Sequence, residues 1–122
     1  MPARVFRILV VDDNRDDLGL TARVVRRQGH EVQVADNGQA ALEIAGRFRP
    51  EVALVDMVLP DVEGCDLVRD LKGLPGMEEL RIFILSGYGE DVSRQRAAAA
   101  GCDGYLVKPL ENGSLESVLD RV

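Results

Sequence analysis

The sequence has only two cysteines, one histidine and no apolar run approaching the ~20 residues that span a bilayer. Cys65 and Cys102 stand far apart in no paired spacing, which leaves no disulfide framework and no cysteine metal site, only two partly buried thiols. His30 alone cannot build a zinc centre and reads as a turn or surface residue. Met1-Pro2-Ala3-Arg4 lacks the apolar stretch of a signal peptide, so the cytoplasm is the expected compartment. Positive charge is scarce. Lys and Arg number 15 against 21 Asp and Glu, a net charge of -6, and such a field repels nucleic acid and anionic membrane. Neither is expected as a direct partner. No linker, low-complexity stretch or repeat interrupts the chain, and 122 residues are too few for two independently cored domains. One domain over residues 1–122, without an output domain, is expected.

What the chain does have is an ordinary globular balance of 46% apolar and 30% charged residues. Four short runs are rich in β-branched residues: Arg7 to Val11, Val52 to Val55, Arg81 to Leu85 and Tyr105 to Val107. Glu31 to Ala35 alternates like an edge strand. Between them apolar residues recur at helical spacing: Leu18, Thr21, Ala22 and Val25; Ala41, Ile44, Ala45 and Phe48; Leu67, Val68 and Leu71; Leu115, Val118, Leu119 and Val122. Asp91 to Ala100 is helix-forming by propensity but has the poorest stripe. Asn37 and Asn112 read as N-caps, and Gly29, Pro50, Pro75-Gly76, Gly101 and Pro109 as stops. Strand and helix alternate five times, which implies parallel pairing with right-handed crossovers and helices on both faces.

In such a sheet, ligands gather beyond the carboxyl ends of the strands. One residue past each central run stand Asp12-Asp13, Asp56, Ser86 and Lys108. Lys108 is one of only two lysines against thirteen arginines. Each residue alone has an ordinary explanation as a cap, a turn or surface decoration. Together, parallel strands would bring three carboxylates, a hydroxyl and an ammonium to one rim. Crowded carboxylates resist ionising together unless a cation compensates them. All-oxygen ligands at a wet site suit Mg2+. A hard cation beside an ammonium and a hydroxyl is arranged for a phosphoryl group.

These residues carry a resemblance. Asp12-Asp13, then Asp56 followed by Leu59-Pro60 and Gly64, then Ser86, Tyr105 and Lys108-Pro109 resemble the response-regulator receiver domain of two-component systems, from about Arg7 to Leu119. The resemblance implies a flavodoxin-like, doubly wound five-stranded parallel sheet of order 2-1-3-4-5 with five helices. It also implies a switch rather than an enzyme, one that takes phosphate from a sensor histidine kinase or a histidine phosphotransfer protein. Carried over residue by residue, Asp56 is the phosphoacceptor. Asp12, Asp13, Asp56 and the backbone carbonyl of Val58 hold Mg2+, Lys108 faces a phosphoryl oxygen, and Ser86 gives its hydroxyl to another. Ser86 and Tyr105 form the switch, which reshapes the surface of the fourth helix, fifth strand and fifth helix, and the bond from Lys108 to Pro109 is cis.

Two positions depart toward bulk or apolarity. Val58 and Tyr88 cannot activate water, and they are expected to slow hydrolysis of an acyl phosphate. Gly87-Tyr88-Gly89 lacks a third glycine at nucleotide-loop spacing and reads as a hinge. Three other readings compete. A small phosphohydrolase with an aspartate nucleophile resembles Asp-x-Asp, but Val58 occupies the second position. A flavin carrier shares the topology, yet paired aspartates would repel the cofactor phosphate. A receiver-like interaction module that is never phosphorylated would be expected to lack an acceptor-site residue, and none is missing.

Overall fold

The computed structural model describes residues 4–87, 101–110, 112–120 and 122. The strands are β1 (Arg7–Val11), β2 (Glu31–Ala35), β3 (Val52–Asp56), β4 (Arg81–Ser86) and β5 (Gly104–Val107). The helices are α1 (Arg15–Arg27), α2 (Gly38–Phe48), α3 (Gly64–Lys72) and α4 (Asn112–Leu119). The expected helix over residues 91–100 lies outside the described residues, as does Tyr88, so α4 is the last of the five helices expected. Every neighbouring pair of strands is parallel, in the order β2-β1-β3-β4-β5.

The strands alternate their side chains between two cores, as a sheet covered on both faces requires. Leu9, Val11, Ala53, Val55, Ile82 and Ile84 pack with Ala41 and Ala45 of α2 and Leu67, Val68 and Leu71 of α3. Ile8, Val10, Leu54, Leu85 and Leu106 pack on the other side with Val25 of α1 and Leu115 and Val118 of α4. Each fully buried Leu or Ile contributes on the order of 1.5–3 kcal/mol.

Local signals set the ends of the helices. Asn14 and Asn37 cap α1 and α2, their side chains accepting from Asp17 N–H at 3.0 Å and Ala40 N–H at 2.9 Å. Asn112 is the first residue of α4 and not the residue before it, which corrects its reading as a cap. His30 also needs correction. It is only 8% exposed, and its Nδ1 accepts the Phe6 N–H at 3.0 Å, joining the segment before β1 to the start of β2. Burial lowers its pKa.

Asp103, just before β5, is the corresponding tie at the other side of the sheet. It accepts the Ile82 N–H at 2.8 Å and pairs with Lys72 at 3.1 Å and Arg81 at 3.5 Å. Asp103→Ala removes the acceptor of a buried strand amide and is expected to cost about 1–3 kcal/mol in urea unfolding. An unchanged midpoint would show that the tie is dispensable.

Candidate functional site

Register brings the four strand ends level. Val11 pairs with Ala35 and Val55, Asp56 with Leu85, and Ser86 with Val107. The next residues along β1 and β5 are Asp12 and Lys108, so groups remote in sequence share one rim. Carboxylate oxygens of Asp12, Asp13 and Asp56 lie within 4.8 Å of one another. Lys108 Nζ stands 2.8 Å from Asp12 Oδ2 and 3.3 Å from Asp56 Oδ1.

Each acid is differently held. Asp12 is 0% exposed; its Oδ1 accepts the Asn14 N–H at 3.0 Å, and its N–H donates to Ala35 O at 3.1 Å. Its Oδ2 has no hydrogen-bond partner of good geometry among the described residues, and its charge is met by the ammonium across the 2.8 Å contact. Asp13 is exposed. Asp56 Oδ1 accepts the Met57 N–H at 2.8 Å. Burial first, and then the Asp12 carboxylate, raise the Asp56 pKa to about 6 against the pull of Lys108. Burial works against the Lys108 charge, but contact with Asp12 and the field of Asp56 outweigh it and hold the ammonium above its ordinary pKa. A divalent cation held by oxygen donors fits this set: three carboxylates with one buried, under-satisfied oxygen are what such an ion compensates.

The loop after β3 closes on itself through its backbone. Gly64 N–H donates to Met57 O at 2.8 Å and Leu59 N–H to Val62 O at 3.2 Å, so Val58 faces Glu63 as a non-hydrogen-bonded antiparallel pair. In such a pair the residue's own carbonyl turns away from its partner. The Val58 side chain is 69% exposed, so it does not serve as core. Asp61, which sequence reasoning did not single out, pins the far side of this loop. Its two oxygens accept Gly38 N–H at 2.8 Å and Gln39 N–H at 3.0 Å, the first amides of α2, and these bonds lower its pKa.

Ser86 is buried at the end of β4, and its carbonyl accepts the Lys108 N–H at 2.9 Å. The Lys108–Pro109 bond is cis. Tyr105 lies half-buried on β5 against the α2/α3 core. The acids and the lysine are thus gathered, with Ser86 beside them through the backbone. Asp17 was not foreseen: it reaches Lys108 from α1 at 3.3 Å. Its sequence signal was only that of an acid in a helix first turn.

The response regulator receiver domain family matches residues 8–120. DivK of Brucella anthropi, a polar-differentiation response regulator, is 26% identical over 103 residues, which cover 84% of each chain. The response regulator MprA of Mycobacterium tuberculosis is 33% identical over 116 residues, 95% of this chain and 48% of MprA, so the chain spans about half of that relative. Among solved structures, the chemotaxis response regulator CheY4 of Vibrio cholerae superposes with TM-score 0.86 at 26% identity, covering 97% of this chain and 98% of its own. A CheY-like receiver domain protein of Methanospirillum hungatei gives 0.84 at 27%, covering 97% and 93%.

Proposed function

The chain belongs to the response regulator receiver family, a signalling module and not an enzyme, and from that premise we propose that Asp56 is its phosphoacceptor. The observation that carries the assignment is the level rim itself: three carboxylates within 4.8 Å of one another, with an ammonium 3.3 Å from the one that ends β3.

Met57 N–H and Lys108 both engage Asp56 Oδ1. Oδ2 is the oxygen assigned to attack. In line with the leaving group, it forms the O–P bond as the P–N bond of a phosphohistidine breaks, and the departing imidazole keeps the electron pair and takes up a proton. The donor is a sensor histidine kinase or a histidine phosphotransfer protein. Asp12, Asp13, Asp56 and the Val58 carbonyl would hold Mg2+, which when bound supplies charge against the carboxylates and the phosphoryl oxygens. Lys108 offers a compact charge to one phosphoryl oxygen and the Ser86 hydroxyl hydrogen-bonds another. Movement of Ser86 toward the phosphate, with Tyr105 turning inward, is the switch, read out on a surface that includes β5 and α4. Among the described residues no helix is long and apolar enough to cross a membrane; the cytoplasm is the proposed compartment.

Incubation with acetyl phosphate and Mg2+, followed by peptide mass spectrometry, tests the assignment. One phosphoryl group on Asp56, absent when Mg2+ is chelated before the donor is added, is expected; modification at another residue would overturn it. Val58 bears on how long the product lasts. Exposed and apolar two residues past Asp56, it has no group with which to hold a water, so Val58→Asn is expected to shorten the acyl-phosphate lifetime severalfold in an intact-mass time course. An unchanged lifetime would leave Val58 without that role.

A further inference from the structure

Lys108 is held by one more acid than the rim supplies. Its Nζ lies 2.8 Å from Asp12 Oδ2, 3.3 Å from Asp56 Oδ1 and 3.3 Å from Asp17 Oδ2. Asp12 and Asp56 belong to the oxygen cluster, whereas Asp17 stands in the first turn of α1 with its side chain 38% exposed. The Asp17 N–H is bound to Asn14 Oδ1 at 3.0 Å, so the helix cap fixes the backbone from which this carboxylate reaches the lysine.

An ammonium and a divalent ion on the same two carboxylates repel each other strongly at a separation of a few ångströms. Asp12 Oδ2 is the sharpest point of that conflict, being fully buried, without a well-formed hydrogen bond, and in contact with the ammonium. A cation arriving there must displace the lysine. Asp17 touches the same nitrogen from α1 and is not one of the three acids whose oxygens cluster.

We propose that Asp17 is a positioning residue that receives the Lys108 ammonium when a divalent cation occupies the oxygens of Asp12, Asp13 and Asp56, so that lysine and metal do not contend for the same carboxylates. The proposal rests on the metal-site reading of that cluster. With the metal in place, Asp17 keeps the ammonium at the rim, charged and within reach of a phosphoryl group arriving on Asp56. Asp17→Asn leaves the cap intact, because the bond to Asn14 is made by the backbone, and returns the lysine to Asp12 and Asp56, where it opposes the metal.

Calorimetric Mg2+ titration of wild type, Asp17→Asn, Lys108→Gln and the double variant separates the possibilities without any phosphorylation. Asp17→Asn is expected to weaken Mg2+ binding about three- to fivefold, the upper end of what a partly exposed ion pair contributes. In the Lys108→Gln background the same change is expected to matter less than about twofold, as a screened distant charge would. Lys108→Gln alone is expected to tighten binding, and Lys108→Met replaces it as background if the glutamine variant does not fold. Equal weakening in both backgrounds would overturn the proposal, because Asp17 would then act only as a nearby negative charge. No Mg2+ binding by wild type, or full affinity in Asp13→Asn, would instead bring down the metal-site reading.

Discussion

Asp56→Asn is expected to stay unmodified by acetyl phosphate and Mg2+ and, without metal at neutral pH, to be more stable than the wild type by about 1–2 kcal/mol. The two effects share one cause. The rim collects negative charge for a reaction, and the folded chain bears the repulsion until a cation arrives. Asp56 titrates near 6 in the fold against 3.8 unperturbed. In that window the folded protein binds a proton that the unfolded chain has released, so stability falls as pH rises from about 4 through about 6 and levels off above. A shift of this size amounts to about 3 kcal/mol in a fully shielded site. The site opens to water, which reduces the expectation to the smaller figure. Asparagine keeps the shape and removes the charge. Urea melts of both proteins from pH 4 to 7.5 in chelator measure the difference, which should grow with pH. Taking the difference matters, because His30 runs the other way: its lowered pKa gives stability at neutral pH that is lost as pH falls through the range where a free imidazole protonates. Mg2+ should close the gap by binding the folded wild type preferentially. A variant no more stable than wild type at any pH would contradict the account of a strained carboxylate cluster.

Gly64→Ala is expected to lose about 2–3 kcal/mol and to slow phosphorylation together. A Cβ at Gly64 would sit 2.5 Å from the Asp56 carbonyl oxygen and 3.0 Å from both Met57 Cα and Met57 O. All three are backbone atoms, so no side chain can swing aside. The same glycine donates its N–H to Met57 O at 2.8 Å, which closes the loop that presents Val58. A methyl group must therefore push the start of α3 away from the end of β3 and carry the Asp56 and Val58 backbone with it. Gly46, inside α2 with nothing within 4 Å of an added Cβ, is the internal comparison. Gly46→Ala is expected to gain about 0.5–1 kcal/mol, as alanine does in a helix interior. If Gly64→Ala melted like wild type, close approach of the loop to the phosphoacceptor would not be a constraint.

Much of the architecture was legible because buried parallel strands leave an unmistakable trace. β1, β3 and β4 are continuous apolar runs, and the first polar residue after each marks where the strand leaves the core. The boundaries moved little: β3 takes in Asp56, β4 takes in Ser86, and β5 begins at Gly104, one residue before the reading. The gathering of Asp12, Asp13, Asp56 and Lys108 followed from parallel register, a property that repeats from strand to strand. What escaped were pairings set by single long-range contacts. Asp17 meets Lys108 across 91 positions, Asp61 meets Gly38 across 23, and Asp103 meets Ile82 across 21. An isolated acid looks the same in sequence whether it caps a neighbouring loop or faces solvent. His30 was misread for the same reason, since one histidine beside a turn carries no pattern, while its burial depends on the Phe6 amide reaching it from 24 residues away.

The hydrogen bond from Lys108 N–H to the Ser86 carbonyl couples the cationic and the hydroxylic arm of the rim mechanically. A tug on either side chain that shifts its main chain is passed to the other through one short, directional bond. Hydroxyl and ammonium are therefore drafted as a pair, and a variant that uncouples them should show itself as a loss of synchrony rather than a loss of either grip.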